Sequence, residues 1–476
     1  MKRGFTIGLG VIIAGLLLEL AIGPVAWKLL AWPANIVALG LFVALIVVLG
    51  CLSTNDQRPM TKIIRWLSSY QAAVPTMVYA VVLTMVMGFT RQIKDGQWIY
   101  DMLSFWPFVL IYMLMMLIVG LAIVKHLTKI TNHKSQITNW SREIPFLLNH
   151  VGLFIALCCG TAGNPDMQRM KMICEVGQVE WRAMDENFKV QGLPLAIELK
   201  RFIMETYADG KPSRFASEIR IVTKSGKDVQ TTVDVNYPYE IDGYKIYQYG
   251  YDEEAGKDST YSILELVRDP WMKGTYVGIF MLLVGALWTM VQHAVKGTVN
   301  AWKDKHYWAV ILTVLSFAVF FTFFIGKWIT KQRPPALQSP WFGPHVIVYI
   351  IAYALLAAAT LIVIVKLFMK TNELRVADTL VYIGWSFLTF GMLFGALWAK
   401  EAWGHYWSWD PKETWAAITW FAYLVYIHFR LAYPKQIKTA MVTLLVSFCL
   451  LQMCWWGINY LPSARNSSVH TYGVSK

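Results

Sequence analysis

The sequence predicts a polytopic α-helical membrane protein of about eleven transmembrane helices carrying one small, mostly-β extracytoplasmic domain. Three observations carry that prediction. Of 476 residues, 56% are hydrophobic and 15% charged, and the mean hydropathy of +0.43 is more than a water-soluble core can hide. Apolar runs of about 20 residues, enough to cross a bilayer, recur along the chain. Charge is also segregated: residues 161–270 hold 19 of the 30 acidic side chains against 14 basic ones, whereas the rest of the chain has 29 basic and 11 acidic. The net charge of +13 therefore belongs to membrane segments. A soluble enzyme, a secreted disulfide scaffold and a nucleic-acid binder are excluded together, and the lipid membrane is the first expected partner.

In chain order, Met1-Lys2-Arg3 followed by a long apolar run, with Pro24 after its exit, predicts an uncleaved signal anchor. Spans are expected near residues 4–22, 34–52, 72–90, 102–124, 145–160, 274–294, 307–326, 345–365, 379–398, 413–429 and 440–457. With the N-terminus cytoplasmic, the inner loops collect 18 of the 29 basic residues outside the insert, so the positive-inside bias and the odd number of spans agree. The C-terminus and the insert are then extracytoplasmic. Within the insert, Ser217 to Val235 alternates around Ser225-Gly226 and Tyr239 to Tyr251 around Asp242-Gly243, which predicts two hairpins.

Six cysteines occur without CxxC or CxxCH spacing, which argues against a thiol-disulfide oxidoreductase and against a chain carrying its own c-type haem. The unusual segment is Trp403-Gly404-His405-Tyr406-Trp407-Ser408-Trp409-Asp410-Pro411-Lys412-Glu413-Thr414-Trp415-Ala416, in an outer loop. Part of it has a plain account: Asp410 caps the following helix, Pro411 takes its first position and Glu413 completes a capping box. Tryptophan also gathers at membrane interfaces without any ligand. So many indoles in one polar loop would equally present a flat apolar surface to a large planar ligand.

Histidines sort by depth. His345 and His470 flank this loop in sequence on the outer side, while His428, 17 residues after Pro411, lies about 25 Å along the tenth span near the inner end. His150 lies a few residues into the fifth span, at similar inner depth. Intramembrane ionisable residues are costly, so His150 and His428 are functional candidates, and two imidazoles can ligate one haem iron. His293 and His306 are rivals on the inner side and His405 on the outer; His126 and His133 read as solvated.

At these residues the sequence resembles a known family. Trp403 to Ala416 is similar to the tryptophan-rich WWD signature of haem-handling proteins. Together with Pro335-Ala336-Leu337-Gln338-Ser339 ahead of His345, Gly457-Ile458-Asn459 and His470-Thr471-Tyr472-Gly473, it resembles the CcsA (ResC) half of the system II cytochrome c synthases. Asn149-His150-Val151-Gly152-Leu153, Val235-Asn236-Tyr237-Pro238 and Leu266-Val267-Arg268-Asp269-Pro270 resemble the CcsB (ResB) half. The whole is similar to the fused CcsBA form. On that resemblance the chain divides into N-terminal membrane helices (1–144), a CcsB-like part with the β insert (145–295) and a CcsA-like WWD membrane domain (296–476).

The resemblance implies a haem exporter and holocytochrome c synthase, a lyase-type activity, in a bacterial inner membrane. Haem b would be both substrate and bound ligand. His150 and His428 would be axial ligands of a transmembrane haem, and His345 and His470 those of an external one. Trp403, Trp407, Trp409 and Trp415 would bind the porphyrin, and His345, His470, Trp407, Trp409 and Asp410 would form the attachment site. Implied partners are an apocytochrome c with a CxxCH motif and a thioredoxin-like thiol reductant. Two other functions fit the same histidines: haem delivery to a chaperone without thioether formation, and a two-haem b-type electron-transfer subunit.

Overall fold

The computed structural model describes residues 1–52, 59–132, 140–303, 332–369 and 373–464. Its helices are α1 (Lys2–Ile22), α2 (Ala34–Leu52), α3 (Pro59–Leu67), α4 (Tyr70–Phe89), α5 (Trp106–Asn132), α6 (Trp140–Gly163), α7 (Met272–Lys303), α8 (Phe342–Met369), α9 (Arg375–Trp403), α10 (Pro411–Ala432) and α11 (Ile437–Trp455). Among the described residues, nine helices are long and apolar enough to cross a membrane. The span expected at 307–326 lies outside the described residues.

The helix α10 is the instructive exception, because it is long but not apolar enough to be among those nine. It is wrapped by other helices instead of lipid. Trp415, Ile418, Tyr423 and Tyr426 are each at most 1% exposed. Its polar groups find protein partners: Trp420 Nε1 donates to Thr389 Oγ1 (2.9 Å), Tyr426 donates to Asp378 Oδ1 (2.7 Å), and Arg430 grips the same carboxylate (3.0 and 2.8 Å). A helix surrounded by protein can carry polar side chains that lipid would not tolerate.

The N-terminal helices, to which the resemblance assigns no role, pack on this centre through α4. Val74, Met77 and Val81 of α4 share a core with Trp415, Ile418 and Tyr423 of α10. A Cβ on Gly88 would lie 2.9 Å from Trp415 Nε1, so the close approach of α4 to α10 requires a glycine there. The short α3 is an element that sequence reading treats as loop; its Ile64 is buried against Leu121 of α5.

Between α6 and α7, eight antiparallel strands form one sheet: β1 (Gln168–Glu175), β2 (Val179–Asp185), β3 (Val190–Thr206), β4 (Pro212–Thr223), β5 (Asp228–Asp234), β6 (Tyr239–Ile241), β7 (Tyr244–Tyr251) and β8 (Tyr261–Arg268). Their order is β5-β4-β3-β2-β1-β8-β7-β6. The sheet curls on itself, since Ser217 Oγ of β4 reaches Gln248 Oε1 of β7 (2.6 Å) and Ser262 Oγ of β8 (2.8 Å). Inside the curl, Met172, Ile197, Leu199, Ile219, Ile246 and Leu264 are fully buried. Both expected hairpins are present, with Gly226 at φ +86 and the Asp242-Gly243 pair at φ +47 and +80. The 17-residue β3, bent by register shifts near Leu199 and Glu205, has no counterpart in the sequence reading.

Candidate functional site

The end of the helices remote from the β domain brings two histidines together. His150 of α6 and His428 of α10 have ring centres 6.3 Å apart, with planes inclined by 68°. Each Nδ1 faces a carbonyl of its own helix, Phe146 O at 2.8 Å and Leu424 O at 2.9 Å. A carbonyl can only accept, so Nδ1 carries the proton and Nε2 keeps its lone pair for a metal. A metal–imidazole bond of about 2 Å on each side of one ion would set two ring centres about 6 Å apart.

The local sequence aims these rings. Asn149 donates to Pro145 O (2.8 Å) and Thr289 Oγ1 (3.2 Å), and a Cβ on Gly285 would meet it at 2.8 Å. Gly152 is equally tight, 2.9 Å from Leu282 N of α7. Asn149 and Gly152 thus hold one face of α6 against α7, and the next position round the helix, His150, turns toward α10. His428 also meets Tyr70 of α4 at 5.9 Å. The rival His293 is stacked on Tyr382 (3.9 Å, 14°) with Nδ1 bonded to Thr289 O, while His306 lies outside the described residues.

One expectation is corrected here. His126 is not a solvated loop residue: it sits on α5, its Nδ1 lies 2.8 Å from Glu143 Oε2 of α6, and its ring stacks on Phe146 at 3.6 Å. Phe146 in turn stacks on His150 at 4.0 Å. A helix that continues to Asn132, eight residues beyond the expected span, carries His126 into this contact. His133 lies outside the described residues.

His345 lies near the start of α8, at the β-domain end. Its Nδ1 donates to Gly391 O of α9 (2.8 Å), and a Cβ on Gly395 would sit 2.8 Å from the ring. Trp398 lies 5.7 Å from it and Trp403 5.0 Å from Trp398, so indoles extend from His345 to the end of α9. Trp398 is a site residue that sequence reading missed, because it precedes the loop on a helix face of ordinary apolar appearance. The segment before α8 is stitched to both neighbours: Asn236 donates to Pro335 O (2.8 Å), Gln338 to Ser213 O (2.8 Å) and Trp398 Nε1 to Ala336 O (2.8 Å). The Val235-Asn236-Tyr237-Pro238 stretch therefore has a local reason, an asparagine at φ +69 that turns its amide toward the approach to His345. His470 lies outside the described residues.

The capping box is formed: Glu413 N donates to Asp410 Oδ1 (2.7 Å) and Asp410 N to Glu413 Oε2 (3.3 Å), while Ser408 N adds 2.7 Å to the same carboxylate. Trp409 is held at φ +58, a conformation costing about 1–2 kcal/mol outside glycine. That twist sends Trp409 onto Phe108 of α5 (6.2 Å, edge-on), with Trp407 edge-on behind it at 5.8 Å. Trp407 Nε1 is shielded from solvent and has no acceptor among the described residues. Trp415 is fully buried between α10 and α4, against Phe89 at 5.1 Å, and shows no face to the loop's surface. His405, in the loop, is half-buried.

The β domain is tied to this loop by a buried charge. Lys400, 1% exposed, donates from Nζ to Asp269 Oδ2 (3.0 Å) and to Gly404 O (3.1 Å), and lies over the Tyr406 ring at 4.7 Å. Full pairing of both ions and a third acceptor offsets their desolvation. Arg169 of β1 pairs with Glu265 (2.8 Å) and reaches Trp403 O (3.4 Å). Burial pushes the Glu265 carboxyl up, against the opposing pull of Arg169, and pushes the Tyr247 and Tyr406 hydroxyls up as well. Gly404, at φ +76, ends α9 where a Cβ would meet Val267 at 2.8 Å and Tyr247 at 3.2 Å. Gly404→Ala is expected to lower stability by about 1–2 kcal/mol, and a thermal-melting series of purified protein checks it. Asp410→Ala should cost about 1 kcal/mol through the lost cap.

Comparison with known proteins gives two family matches on this one chain. Residues 138–265 match the ResB-like family and residues 274–464 the Cytochrome C assembly protein family. Relatives named "Cytochrome c biogenesis protein CcsA" include those of Chlamydomonas reinhardtii (38% identical over 170 residues, 32% of this chain and 47% of the relative) and Mesostigma viride (31% over 194 residues, 32% and 62%). That of Nymphaea alba is 33% identical over 179 residues, 29% of this chain and 57% of the relative. The chain thus spans about half to three-fifths of the length of these relatives.

Proposed function

For a chain that joins a ResB-like and a cytochrome c assembly segment, as a CcsBA fusion of cytochrome c biogenesis does, we propose a haem exporter and holocytochrome c synthase. The observation that carries this reading is the His150–His428 pair, 6.3 Å between ring centres and each ring fixed through Nδ1, at the end of the bundle away from the Trp loop. Haem b is the cargo. His150 and His428 hold it on the cytoplasmic side; His345 and His470 hold it at the extracytoplasmic side, beside Trp403 and below the β domain. The buried Trp407 Nε1, which has no acceptor among the described residues, is in keeping with a ligand carrying acceptor oxygens in the loop. On this reading Trp409 and Asp410 set the loop's shape, and Trp415 anchors it through α4.

Attachment adds each S–H of a CxxCH apocytochrome across a haem vinyl group, so the sulfur gains a carbon, the other vinyl carbon gains the hydrogen, and no electrons change hands. The chain's contribution is to hold two vinyls against two thiols, an effect of proximity and orientation. The thiols must arrive reduced, which assigns a place to a thioredoxin-like reductant.

The decisive experiment is co-expression with a CxxCH apocytochrome in a bacterial host lacking its own maturation genes, followed by a haem stain of denatured protein. Covalent haem on the apocytochrome is expected. Haem exported without attachment would favour a delivery protein, and haem retained tightly at both sites without export would favour an electron-transfer subunit. The purified protein should also show a low-spin ferric haem whose EPR signal is of the highly axial kind given by crossed imidazole planes, given the 68° inclination here. A rhombic signal of parallel planes would contradict the pair geometry.

A further inference from the structure

We propose that His126, held by Glu143, is a receiving site for the iron of haem ahead of the His150–His428 pair. The inference rests on the reading of that pair as a haem site and adds the step before it.

The His126 ring is oriented as metal-binding imidazoles commonly are, with one nitrogen donating to a carboxylate so that the other keeps its lone pair for the metal. The donor is Nδ1 and the acceptor Glu143 Oε2, at 2.8 Å. The Glu143 side chain is 9% exposed and the His126 side chain 27%, so the carboxylate is enclosed and the imidazole reachable. Beyond it the path is continuous: His126 lies face to face with Phe146 (3.6 Å, 22°) and Phe146 with His150 (4.0 Å, 23°). The three rings form one stack and an imidazole lone pair lies in its ring plane, so a flat porphyrin moving from the first imidazole to the second passes only the edge of a single phenyl ring.

The approach also suits the rest of the molecule. Haem carries two propionates, and two exposed cations belong to the neighbouring elements, Lys125 beside His126 in sequence on α5 and Lys62 on α3. The two helices meet here: Lys125 Nζ lies 3.4 Å from Ser68 O just after α3, and Ile64 of α3 packs on Leu121 of α5. The short α3 therefore brings a further positive charge to the end of α5 that carries the receiving imidazole. Without a ligand, the His126–Glu143 bond would serve only to clamp α5 to α6.

The test separates those two roles. His126→Leu and His126→Met both abolish the Glu143 bond and fill similar space, yet only the thioether can ligate iron. Full-length protein stripped of haem is mixed with haem b in stopped flow, and growth of the bis-His Soret band at the His150–His428 pair is followed. His126→Leu is expected to slow loading about tenfold while final occupancy is retained, and His126→Met to recover most of the rate. In a His150→Ala background, residual haem binding should fall further on adding His126→Leu. Loading of His126→Leu at the wild-type rate overturns the proposal, as does equal slowing in both variants, which is what a clamp predicts. Absence of any bis-His band in the unaltered protein overturns the reading of the pair itself, and this inference with it.

Discussion

Replacing His428 or His150 by alanine lowers the haem recovered with the purified protein by at least about tenfold, equivalent to 1.4 kcal/mol or more of lost affinity. The size follows from the geometry. Each imidazole is one of two facing rings 6.3 Å apart, so either substitution leaves an iron with one protein ligand. The structural cost of the change is small, because each ring's Nδ1 hydrogen bond is to a carbonyl one turn back in its own helix, which a helical N–H already serves. Haem should therefore fall while membrane insertion and protein yield hold. Haem per mole of protein, measured as a pyridine haemochrome beside a blot of membrane-inserted protein, checks the outcome. Unchanged haem in both variants removes the pair, and a loss that only tracks protein abundance reduces it to packing.

His345→Ala is expected to cut holocytochrome formation by about tenfold or more while leaving haem at the other pair close to its original level. Its imidazole lies in a recess made by Gly391, Gly395, Trp398 and Tyr349, so alanine leaves a ring-sized space at the β-domain end. Added imidazole can occupy that space and ligate the iron, and it should restore part of the activity. Gly395→Val is expected to have a similar effect with the histidine still present, since a Cβ there lies 2.8 Å from the ring and must displace it. His470→Ala should match His345→Ala. If His470→Ala is silent and His405→Ala matches instead, the loop supplies the second ligand. Failure of imidazole to rescue His345→Ala, with synthesis unaffected by Gly395→Val, would remove His345 from the iron.

Much of this was legible in the chain itself. The apolar runs and the change to alternating residues after 161 follow from composition and period, and a bilayer forces that vocabulary on any sequence that crosses it. The capping box at Asp410 was legible because its partners are three residues apart. The depths of His150 and His428 were legible because helix rise converts residue number directly into distance. The Ser225-Gly226 and Asp242-Gly243 turns were likewise local.

What sequence could not supply depends on partners far apart in the chain. The polarity of α10 makes sense only once other helices surround it. His126 reads as solvated until Glu143 and Phe146 of the next helix lie against it. Lys400 reads as an ordinary charge at a helix end, and becomes the bond between β domain and Trp loop only when Asp269, 131 residues earlier, meets it. The four tryptophans read as one surface, yet a backbone twist at Trp409 and the packing of α4 send them to different neighbours. Periodicity and capping are settled within a few residues, so the sequence by itself determined most of the described spans, the two hairpins and the placing of His150 and His428 at one end of the bundle. Which side chains share a site is decided by long-range packing and by buried ion pairs, and those exist only in the tertiary structure.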